Sequence, residues 1–209
     1  MAFQVENTLA AVAAAWCLGV PAETIATRVE CFAANMEMAP GRFNLLEING
    51  ATIIIDYGHN ASSLRALIDV MQRYPHHHRT AVYSMAGDRR DCDLLRVGQL
   101  LGESFDRVIL YEDHSVRGRP DGEIIRLIRE GLAGGKRTQE VTELRGAVKA
   151  VEAGLHCAQP GEVVLIQADT IDETMDFLRE YLPKLRAQPA KEVKAGAPAE
   201  KEPALAGAR

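Results

Sequence analysis

The sequence predicts an α/β fold with a mostly parallel, Rossmann-like sheet of about six strands, helices on both faces and an N-terminal antiparallel hairpin. From Phe43 onward, short apolar runs alternate with segments whose apolar residues recur every three or four positions. This alternation is typical of strands joined by helices. Asn49-Gly50 separates the first two apolar runs and is a tight-turn dipeptide that favours a hairpin. The later strands, each separated from the next by a helix, should be parallel.

Two helices are expected before the sheet, over residues 5–18 and 22–34. Gly19-Val20-Pro21 separates them, and a proline favours the start of the second helix. Both helices have an apolar face but no strand of their own to cover it. Four of their residues should therefore be left partly uncovered: Trp16, Leu18, Ile25 and Val29. We interpret residues 1–40 as what remains of a truncated preceding domain.

The breaker Pro40-Gly41 precedes the sheet. The candidate strands are 43–49, 51–56, 80–85, 107–111, 137–141 and 162–167. The candidate helices are 61–73, 91–103, 121–132, 143–156 and 172–182. Asn60 or Ser62 can cap the first of these helices, and its apolar residues Leu64, Leu67, Ile68 and Met71 recur on one face. The composition after about residue 185 predicts a disordered tail over 186–209.

Composition and charge exclude several classes of protein. A net charge of -5 is unfavourable for a general nucleic-acid binder, which needs a basic face. The four cysteines form no CxxC pair, which favours free thiols in a reducing compartment over a metal site or disulfides. There is no signal peptide and no apolar run long enough to cross a bilayer, so we expect a cytoplasmic protein without membrane or nucleic-acid partners. The loop histidines 76–78 favour a solvated turn over a metal site.

Polar clusters follow four of the predicted strands, at residues 56–60, 87–91, 112–119 and 169–174. Because parallel strands end at one edge of a sheet, these clusters should meet at the edge where ligands bind in open α/β folds. Arginines there can bind phosphates or carboxylates, and carboxylates can bind ribose hydroxyls or a cation. Simpler alternatives remain open. The first cluster could be an ordinary strand–turn–helix junction, and residues 88–91 could pair with one another and cap the next helix.

Two sets of motifs resemble a known family. Gly41-Arg42, followed by Asp56-Tyr57-Gly58-His59-Asn60, is similar to the signature that opens the C-terminal domain of the Mur ligase superfamily, whose members form amide bonds at the expense of ATP. The runs 41–50, 86–91, 105–113 and 117–123 resemble its cyanophycin synthetase branch. The resemblance extends from residue 3 to residue 182, so that the tail lies outside it.

The resemblance implies an ATP-dependent ligase that adds arginine to the β-carboxylate of a poly-aspartate backbone through an acyl-phosphate, with ATP and Mg²⁺ as cofactors. In this family the C-terminal domain closes over a central domain that holds the phosphates and the magnesium. Residues 1–40 then correspond to a helical remnant of the Mur ligase central (ATP-binding) domain, 41–185 to the C-terminal domain and 186–209 to the tail. The implied partners are ATP, arginine, an aspartate polymer and either the missing N-terminal ligase part or further copies of the chain.

Site residues follow from the positions that match these motifs. For Asn7 the match is the run Glu6-Asn7-Thr8-Leu9-Ala10-Ala11, which resembles the segment that reads adenine in the last helices of the family's central domain. The resemblance assigns catalytic roles to Arg42, Asp56 and His59. It assigns nucleotide binding to Asn7, Arg42, Asp56, Tyr57 and Asn60. It assigns substrate binding to Asp88, Arg89, Asp113, Arg117 and Arg119, and no residue to a metal. A guanidinium-bearing substrate needs acidic partners, and our hypothesis is that Glu112, Asp113 and Asp169 supply them.

The chain also departs from the family pattern. Ala61 stands where proline often follows the His-Asn pair, and Gln167-Ala168-Asp169-Thr170 replaces a motif of the cell-wall ligases. No phosphate-binding loop is present, because Gly135-Lys136 lacks the glycine that would stand at Glu130. We therefore expect the isolated chain to be inactive. Alternatives are a non-catalytic remnant or binding module of the same fold, a fragment of another Mur-type ligase, or an unrelated flavodoxin-like or response-regulator-like domain.

Overall fold

The computed structural model describes residues 2–114 and 116–187. Within them the chain forms seven helices and six strands. The helices are α1 Ala2–Cys17, α2 Ala22–Cys31, α3 Ala61–Met71, α4 Asp91–Ser104, α5 Glu123–Leu132, α6 Ala147–Cys157 and α7 Ile171–Ala187. The strands are β1 Asn44–Ile48, β2 Ala51–Asp56, β3 His78–Tyr83, β4 Arg107–Glu112, β5 Glu140–Arg145 and β6 Glu162–Gln167. No helix of this described part is long and apolar enough to cross a membrane.

All six strands belong to one sheet in the order β1-β2-β6-β3-β4-β5. The pair β1–β2 is antiparallel and every other neighbouring pair is parallel. This arrangement confirms the predicted fold class. The last strand, β6, lies between β2 and β3, so the polar segments that follow these three strands are adjacent at the edge where parallel strands end, the carboxyl edge of the sheet.

The hairpin between β1 and β2 forms as predicted. Asn49 and Gly50 have φ angles of 51° and 77°, the left-handed values that a two-residue type I′ turn requires. Ile48 pairs with Ala51 directly across the turn. This turn fixes the register of β2, whose final residue is Asp56.

Helices cover both faces of the sheet and bury its alternating side chains. On one face Ile54, Ala81 and Leu165 pack with α3, α4 and α5. On the other face Ile53, Val82 and Ile166 pack with α6 and α7. The predicted apolar positions of α3 (Leu64, Leu67, Ile68 and Met71) are all buried.

The predicted strand at 137–141 and the following helix at 143–156 were placed too early. Arg137 and Gln139 bond instead to the α4–β4 connection, Arg137 through the Asp106 carboxylate and Gln139 through the Asp106 carbonyl. The strand ladder with β4 begins at Glu140 and ends at Arg145. Since β5 is a largely exposed edge strand, it lacks the apolar alternation that marks a half-buried strand.

The two N-terminal helices are as exposed as expected at three of four positions. Trp16 is 64% exposed, Leu18 84% and Val29 42%, whereas Ile25 is buried at 9%. Helix α7 extends to Ala187, five residues beyond its predicted end at 182. Of the predicted disordered tail, residues 188–209 lie outside the described residues.

Candidate functional site

A cleft of about 1250 Å³ lies between helices α1 and α2 and the junction of β2 with α3. Side chains of α1 and α2 form one wall, among them the apolar Val12, Ile25 and Val29. The opposite wall is polar and comes from the residues that follow Gly41 and Asp56. The cleft is lined by all six residues that the sequence assigned to catalysis or nucleotide binding: Asn7, Arg42, Asp56, Tyr57, His59 and Asn60.

The Asp56 carboxylate holds two loops together at the end of β2. Its Oδ1 accepts a hydrogen bond from Gly58 N–H at 2.6 Å, and its Oδ2 accepts one from Phe43 N–H at 2.9 Å. Burial raises the pKa of this carboxyl, although the two backbone donors and Arg42 oppose the shift. The part-buried Asp56 carboxylate therefore fixes the backbone at Phe43 and at Gly58, next to the cleft wall.

The turn that presents Arg42 is supported from inside by Asn44, which is 1% exposed. Asn44 Oδ1 accepts from Gly41 N–H at 2.8 Å, and Asn44 Nδ2 donates to the Ala39 carbonyl at 2.9 Å. The Gly41 φ of 68° is in the left-handed region that favours glycine. The role of Asn44 was not predicted from the sequence, where its one signal is a polar residue at the start of a strand.

Arg42, Tyr57 and His59 form a continuous layer on the polar wall. The Arg42 guanidinium carbon lies 4.7 Å from the centroid of the Tyr57 ring, within the range of a cation–π interaction. The rings of Tyr57 and His59 have centroids 4.6 Å apart. A cation and an aromatic surface are thus exposed side by side to the cleft.

Asn60 caps helix α3, as one of the predicted interpretations proposed. Its Oδ1 accepts a hydrogen bond from Ser63 N–H at 2.9 Å, and the Ser63 hydroxyl oxygen accepts one from Asn60 N–H at 3.3 Å. This capping box occupies the oxygen of the Asn60 side chain. The amide nitrogen is the part of this side chain that is left to face a ligand.

His59 connects the cleft to the next cluster along the carboxyl edge. Its Nε2 is in contact with an Nη of Arg89, and because arginine donates, the imidazole is the acceptor and is neutral. Burial lowers the pKa of His59 and the Arg89 charge lowers it further, while Asp169 acts in the opposite direction. His59 therefore lies between the cleft and the predicted substrate side.

Arg89 and Asp169 each retain an unused polar atom on this substrate side. Arg89 Nε and Asp169 Oδ1 are buried and have no hydrogen-bond partner among the described residues. Burial raises the pKa of the Asp169 carboxyl, with Arg117 and His59 opposing the shift. Buried polar groups normally have partners, so a donor and an acceptor without them are available to a ligand.

The other predicted substrate residues have structural partners. Arg117 pairs with Asp88 at 3.2 Å across two exposed loops. Arg119 donates to the carbonyls of Gly87 and Arg89, both at 2.6 Å, and so holds the loop that presents Arg89. Asp113 accepts from the Thr170 hydroxyl at 2.9 Å. Asp88 thus adjoins Arg89 in the chain, Asp113 lies against the segment that follows β6, and Arg119 supports the Arg89 loop through its backbone.

Glu112 does not supply acidity to a ligand, contrary to our hypothesis. It is 1% exposed, and its carboxylate accepts from Gly122 N–H at 2.6 Å and from Ile124 N–H at 3.3 Å. These N–H groups stand at the start of α5, where a carboxylate is stabilising. The role of Glu112 is to anchor this helix.

Gln167, at the end of β6, is a second residue whose role the sequence did not reveal. Its side chain accepts from Ser84 N–H at 3.2 Å and donates to the Tyr57 carbonyl at 3.4 Å. It thereby joins the ends of three neighbouring strands. A glutamine that ends a fully buried strand is a signal that could have located this connection.

Residues 41–170 match the sequence model of the family "Mur ligase, glutamate ligase domain". The chain belongs to this family. The Gly41-Arg42 turn, the Asp56–Asn60 junction and the Asp169 segment all lie within the matched residues, whereas Asn7 precedes them.

Among curated proteins, the chain is similar to cyanophycin synthetases and to a cell-wall Mur ligase. It is 31% identical to the cyanophycin synthetase of Crocosphaera subtropica over 87% of this chain and 21% of that protein. The values for the cyanophycin synthetase of Nostoc sp. are 30%, 85% and 20%. For the UDP-N-acetylmuramoyl-L-alanyl-D-glutamate–L-lysine ligase of Staphylococcus aureus they are 28%, 78% and 31%. The chain thus spans about a fifth of the length of the cyanophycin synthetases that it matches.

Solved structures of a murein peptide ligase and of a folylpolyglutamate synthase share this fold. A murein peptide ligase from Psychrobacter arcticus aligns with a TM-score of 0.57 at 17% identity over 90% of this chain and 38% of that chain. A bifunctional folylpolyglutamate synthase/dihydrofolate synthase from Yersinia pestis, complexed with AMPPNP and a manganese ion, aligns with a TM-score of 0.57 at 19% identity over 76% and 35%. These likenesses support the fold of the Mur ligase domain described above.

Proposed function

We propose that this chain is the C-terminal closing domain of an ATP-dependent acid–amino-acid ligase that resembles cyanophycin synthetase. The proposed reaction adds arginine to the β-carboxylate of a poly-aspartate backbone through an acyl-phosphate. The observation that carries this proposal is the single cleft lined by Asn7, Arg42, Asp56, Tyr57, His59 and Asn60. The His59–Arg89 contact extends that cleft to a second polar cluster, as a site that binds ATP beside an incoming amino acid requires.

The polar wall of the cleft fits a nucleotide. The exposed Arg42 guanidinium is suited to a phosphate oxygen, and Asp56 holds Arg42's neighbour Phe43 in place through a backbone bond. The Yersinia pestis relative of the same fold was solved with AMPPNP and manganese, which supports ATP and Mg²⁺ as the cofactors of the complete enzyme. In this proposal the phosphate loop and the magnesium ligands belong to a central domain outside this sequence.

The second cluster fits an amino acid that carries charges of both signs. The unused Arg89 Nε is a donor suited to the α-carboxylate of the incoming amino acid. The unused Asp169 Oδ1, with Asp113 nearby through Thr170, is suited to a cationic group such as a guanidinium. Binding the substrate at both ends would direct its amine toward the activated carboxyl. A closing domain of this kind contributes to catalysis by orienting the reactants.

The isolated chain should lack ligase activity. Its sequence contains no G-x-x-x-x-G-K-[ST] run, the element that cradles the phosphates in the central domains of such enzymes. One wall of a hinge-closing site offers a triphosphate too few donors for tight binding.

The test mixes the purified chain with a separately expressed N-terminal ligase part and measures arginine-dependent phosphate release. We expect activity from the mixture and none from the chain alone. Arg89→Ala should raise the KM for arginine at least about tenfold, since it removes a charged hydrogen bond. The neighbouring Arg90→Ala is the matched control, because Arg90 is exposed and pairs with Asp93.

Two results would contradict the proposal. One is steady ATP- and arginine-dependent phosphate release by the 209-residue chain alone, and the other is a mixture whose ATP hydrolysis does not depend on any amino acid. Calorimetry of the chain with arginine and with a short aspartate polymer tests the alternative of a non-catalytic binding module. Tight binding to the isolated chain together with an inactive mixture would favour that alternative.

A further inference from the structure

Two buried tyrosines stand beneath the site, on adjacent strands and on opposite faces of the sheet. Tyr83 ends β3 and packs with α3 to α5, whereas Tyr111 lies on β4 and packs on the α6–α7 side. Both side chains are 0% exposed. Burial raises the pKa of each phenol well above its usual range, so each remains a neutral hydroxyl that can donate one hydrogen bond.

Each hydroxyl reaches a different loop of the carboxyl edge. Tyr83 donates to the Gly58 carbonyl at 3.0 Å, inside the segment 57–60, which we call the nucleotide-side loop. Tyr111 donates to the Gln167 carbonyl at 2.8 Å, with Gln167 Oε1 also 3.3 Å away, and accepts from Asp169 N–H at 3.2 Å. These partners lie inside the segment 167–170, which we call the amino-acid-side loop.

We propose that Tyr83 and Tyr111 are positioning residues that set these two loops separately, Tyr83 the loop that carries His59 and Tyr111 the loop that carries Asp169. The names of the loops rest on the proposed function, whereas the control of each loop by one hydroxyl does not. The ring of each tyrosine fills the core, and the hydroxyl is the single atom that extends to the site. A Tyr→Phe substitution therefore removes the contact with the loop and keeps the packing.

The bonds of Tyr111 explain why a hydroxyl is needed at this position. It is a donor to one backbone group and an acceptor from another, and these two groups flank Ala168 in the chain. A phenol can satisfy both at once, and a phenylalanine satisfies neither. Without the hydroxyl, the Gln167 carbonyl loses this donor and the Asp169 N–H loses this acceptor.

The first test uses the complete 209-residue chain and needs no catalytic activity. Amide hydrogen exchange and NMR titration are compared among Tyr83→Phe, Tyr111→Phe and the matched control Tyr181→Phe, whose hydroxyl contacts His156 on an exposed surface. In Tyr111→Phe the Asp169 amide should exchange about tenfold faster, the factor that one net hydrogen bond corresponds to. The pKa of His59 should stay unchanged in that variant. In Tyr83→Phe the signals of the nucleotide-side loop and the pKa of His59 should change, while Asp169 exchange stays the same.

The second test measures kinetics in the ligase assembled from this chain and its N-terminal part. Tyr111→Phe should raise the KM for the amino acid about fivefold and leave the KM for ATP unchanged, and Tyr83→Phe should do the reverse. Thermal unfolding shows whether each variant is folded before its kinetics are compared. Tyr181→Phe should change neither constant.

The two tests separate this proposal from the proposed function. If each Tyr→Phe variant disturbs both loops equally, or if neither variant disturbs its own loop, the assignment of one loop to each hydroxyl is wrong. Equal changes in both KM values would also overturn it. An assembly that shows no ligase activity counts against the proposed function, and in that case the exchange pattern in the isolated chain still decides the role of the two hydroxyls.

Discussion

Protonation of the His59 ring would change its contact with Arg89. Its Nε2 accepts from Arg89, and protonation would place two positive charges in contact. The groups that face the ring are Arg89 and Arg117, which lower its pKa, and Asp169, which raises it. Burial is the largest cause and also lowers the pKa.

We predict that stability increases with pH over an interval that His59 defines. Between the lowered pKa of the folded state and the ordinary value of 6.5, the unfolded chain binds more protons than the folded chain. The free energy of unfolding should therefore rise as pH increases through this interval and fall as pH decreases. Urea denaturation across pH measures the slope, and an NMR titration of the ring measures the pKa directly.

His59→Gln should reduce that slope, because it removes the titrating ring. His114→Gln, at an exposed position on a neighbouring loop, is the matched control. A ring pKa above 6.5 in the folded protein, or an unchanged slope in His59→Gln, would contradict the prediction.

At the residue scale, the sequence predicted the polar residues of the β2–α3 junction. It did not predict side chains that bond to backbone groups far away along the chain. The polar segment Asp56–Asn60 and the Asn60 cap were predictable, because they lie between a short apolar strand and an amphipathic helix in the sequence. Glu112 was assigned to a ligand as an acidic residue of a loop, and Arg119 was assigned by the resemblance. Both side chains bond to backbone groups of other segments, 10 to 32 residues away along the chain, and no sequence pattern marks such a partner.

Helices α4 and α5 illustrate how an element contact depends on residues without side chains. A Cβ on Gly98 would lie 2.0 Å from the Ile128 carbonyl oxygen, and a Cβ on Gly131 would lie 2.0 Å from the Leu95 carbonyl oxygen. The two helices therefore approach closely from both sides. This contact places α5 against β4, whose Glu112 anchors the first turn of the helix.

We predict that Gly98→Ala destabilises the protein although alanine is the better helix former. The added methyl group cannot fit against the backbone of α5, and overpacking of this kind costs about 1–3 kcal/mol in free energy of unfolding. Gly134→Ala is the matched control, since the nearest atom to its Cβ would be the Gly131 oxygen at 3.3 Å. Urea denaturation of both variants measures the difference. Equal stability of Gly98→Ala and the parent would show that the helices move apart at little cost.

Most elements with a clear apolar period were predicted to within about three residues at each end. Strand β5 begins three and ends four residues after its predicted bounds, and α7 extends five residues beyond its predicted end. Five of the six β5 residues are exposed and Leu144 is partly buried, so this edge strand has little buried side to enforce alternation. Its place is set by the ladder with β4 and by Asp106, which holds Arg137 outside the strand.

For the whole molecule, the alternation of strands and helices predicted a parallel sheet but not its order. The insertion of β6 between β2 and β3 depends on which connections cross the sheet, and the residues of β6 do not encode that choice locally. The cleft could not be predicted from the sequence either, because it forms only when α1 and α2 lie opposite the β2–α3 junction. The resemblance to a known family suggested candidate site residues, and six of them line this one cleft.

Trp16 allows a test of how the N-terminal helices behave in the assembled ligase. It is the single tryptophan of the chain and is 64% exposed, so its fluorescence in the isolated chain should be readily quenched by acrylamide. If the proposed N-terminal ligase part covers α1 and α2, quenching should fall at least about twofold on mixing, because burial against a partner excludes the quencher. Trp16→Phe removes the signal and serves as the blank. Unchanged quenching in an active mixture would show that the partner binds elsewhere.

The central position of β6 has a consequence for how the protein is made. Ile54 of β2 pairs with Leu165 of β6, and the ribosome must therefore synthesise almost the entire domain before the sheet can close. Until then β2 and β3 are two unpaired edges of a nascent chain, and long-range pairing of this kind slows folding. The loop that carries Asp169 emerges immediately after β6. The joining of β2 to β3 and the placement of the Asp169 loop thus depend on the same late-synthesised strand.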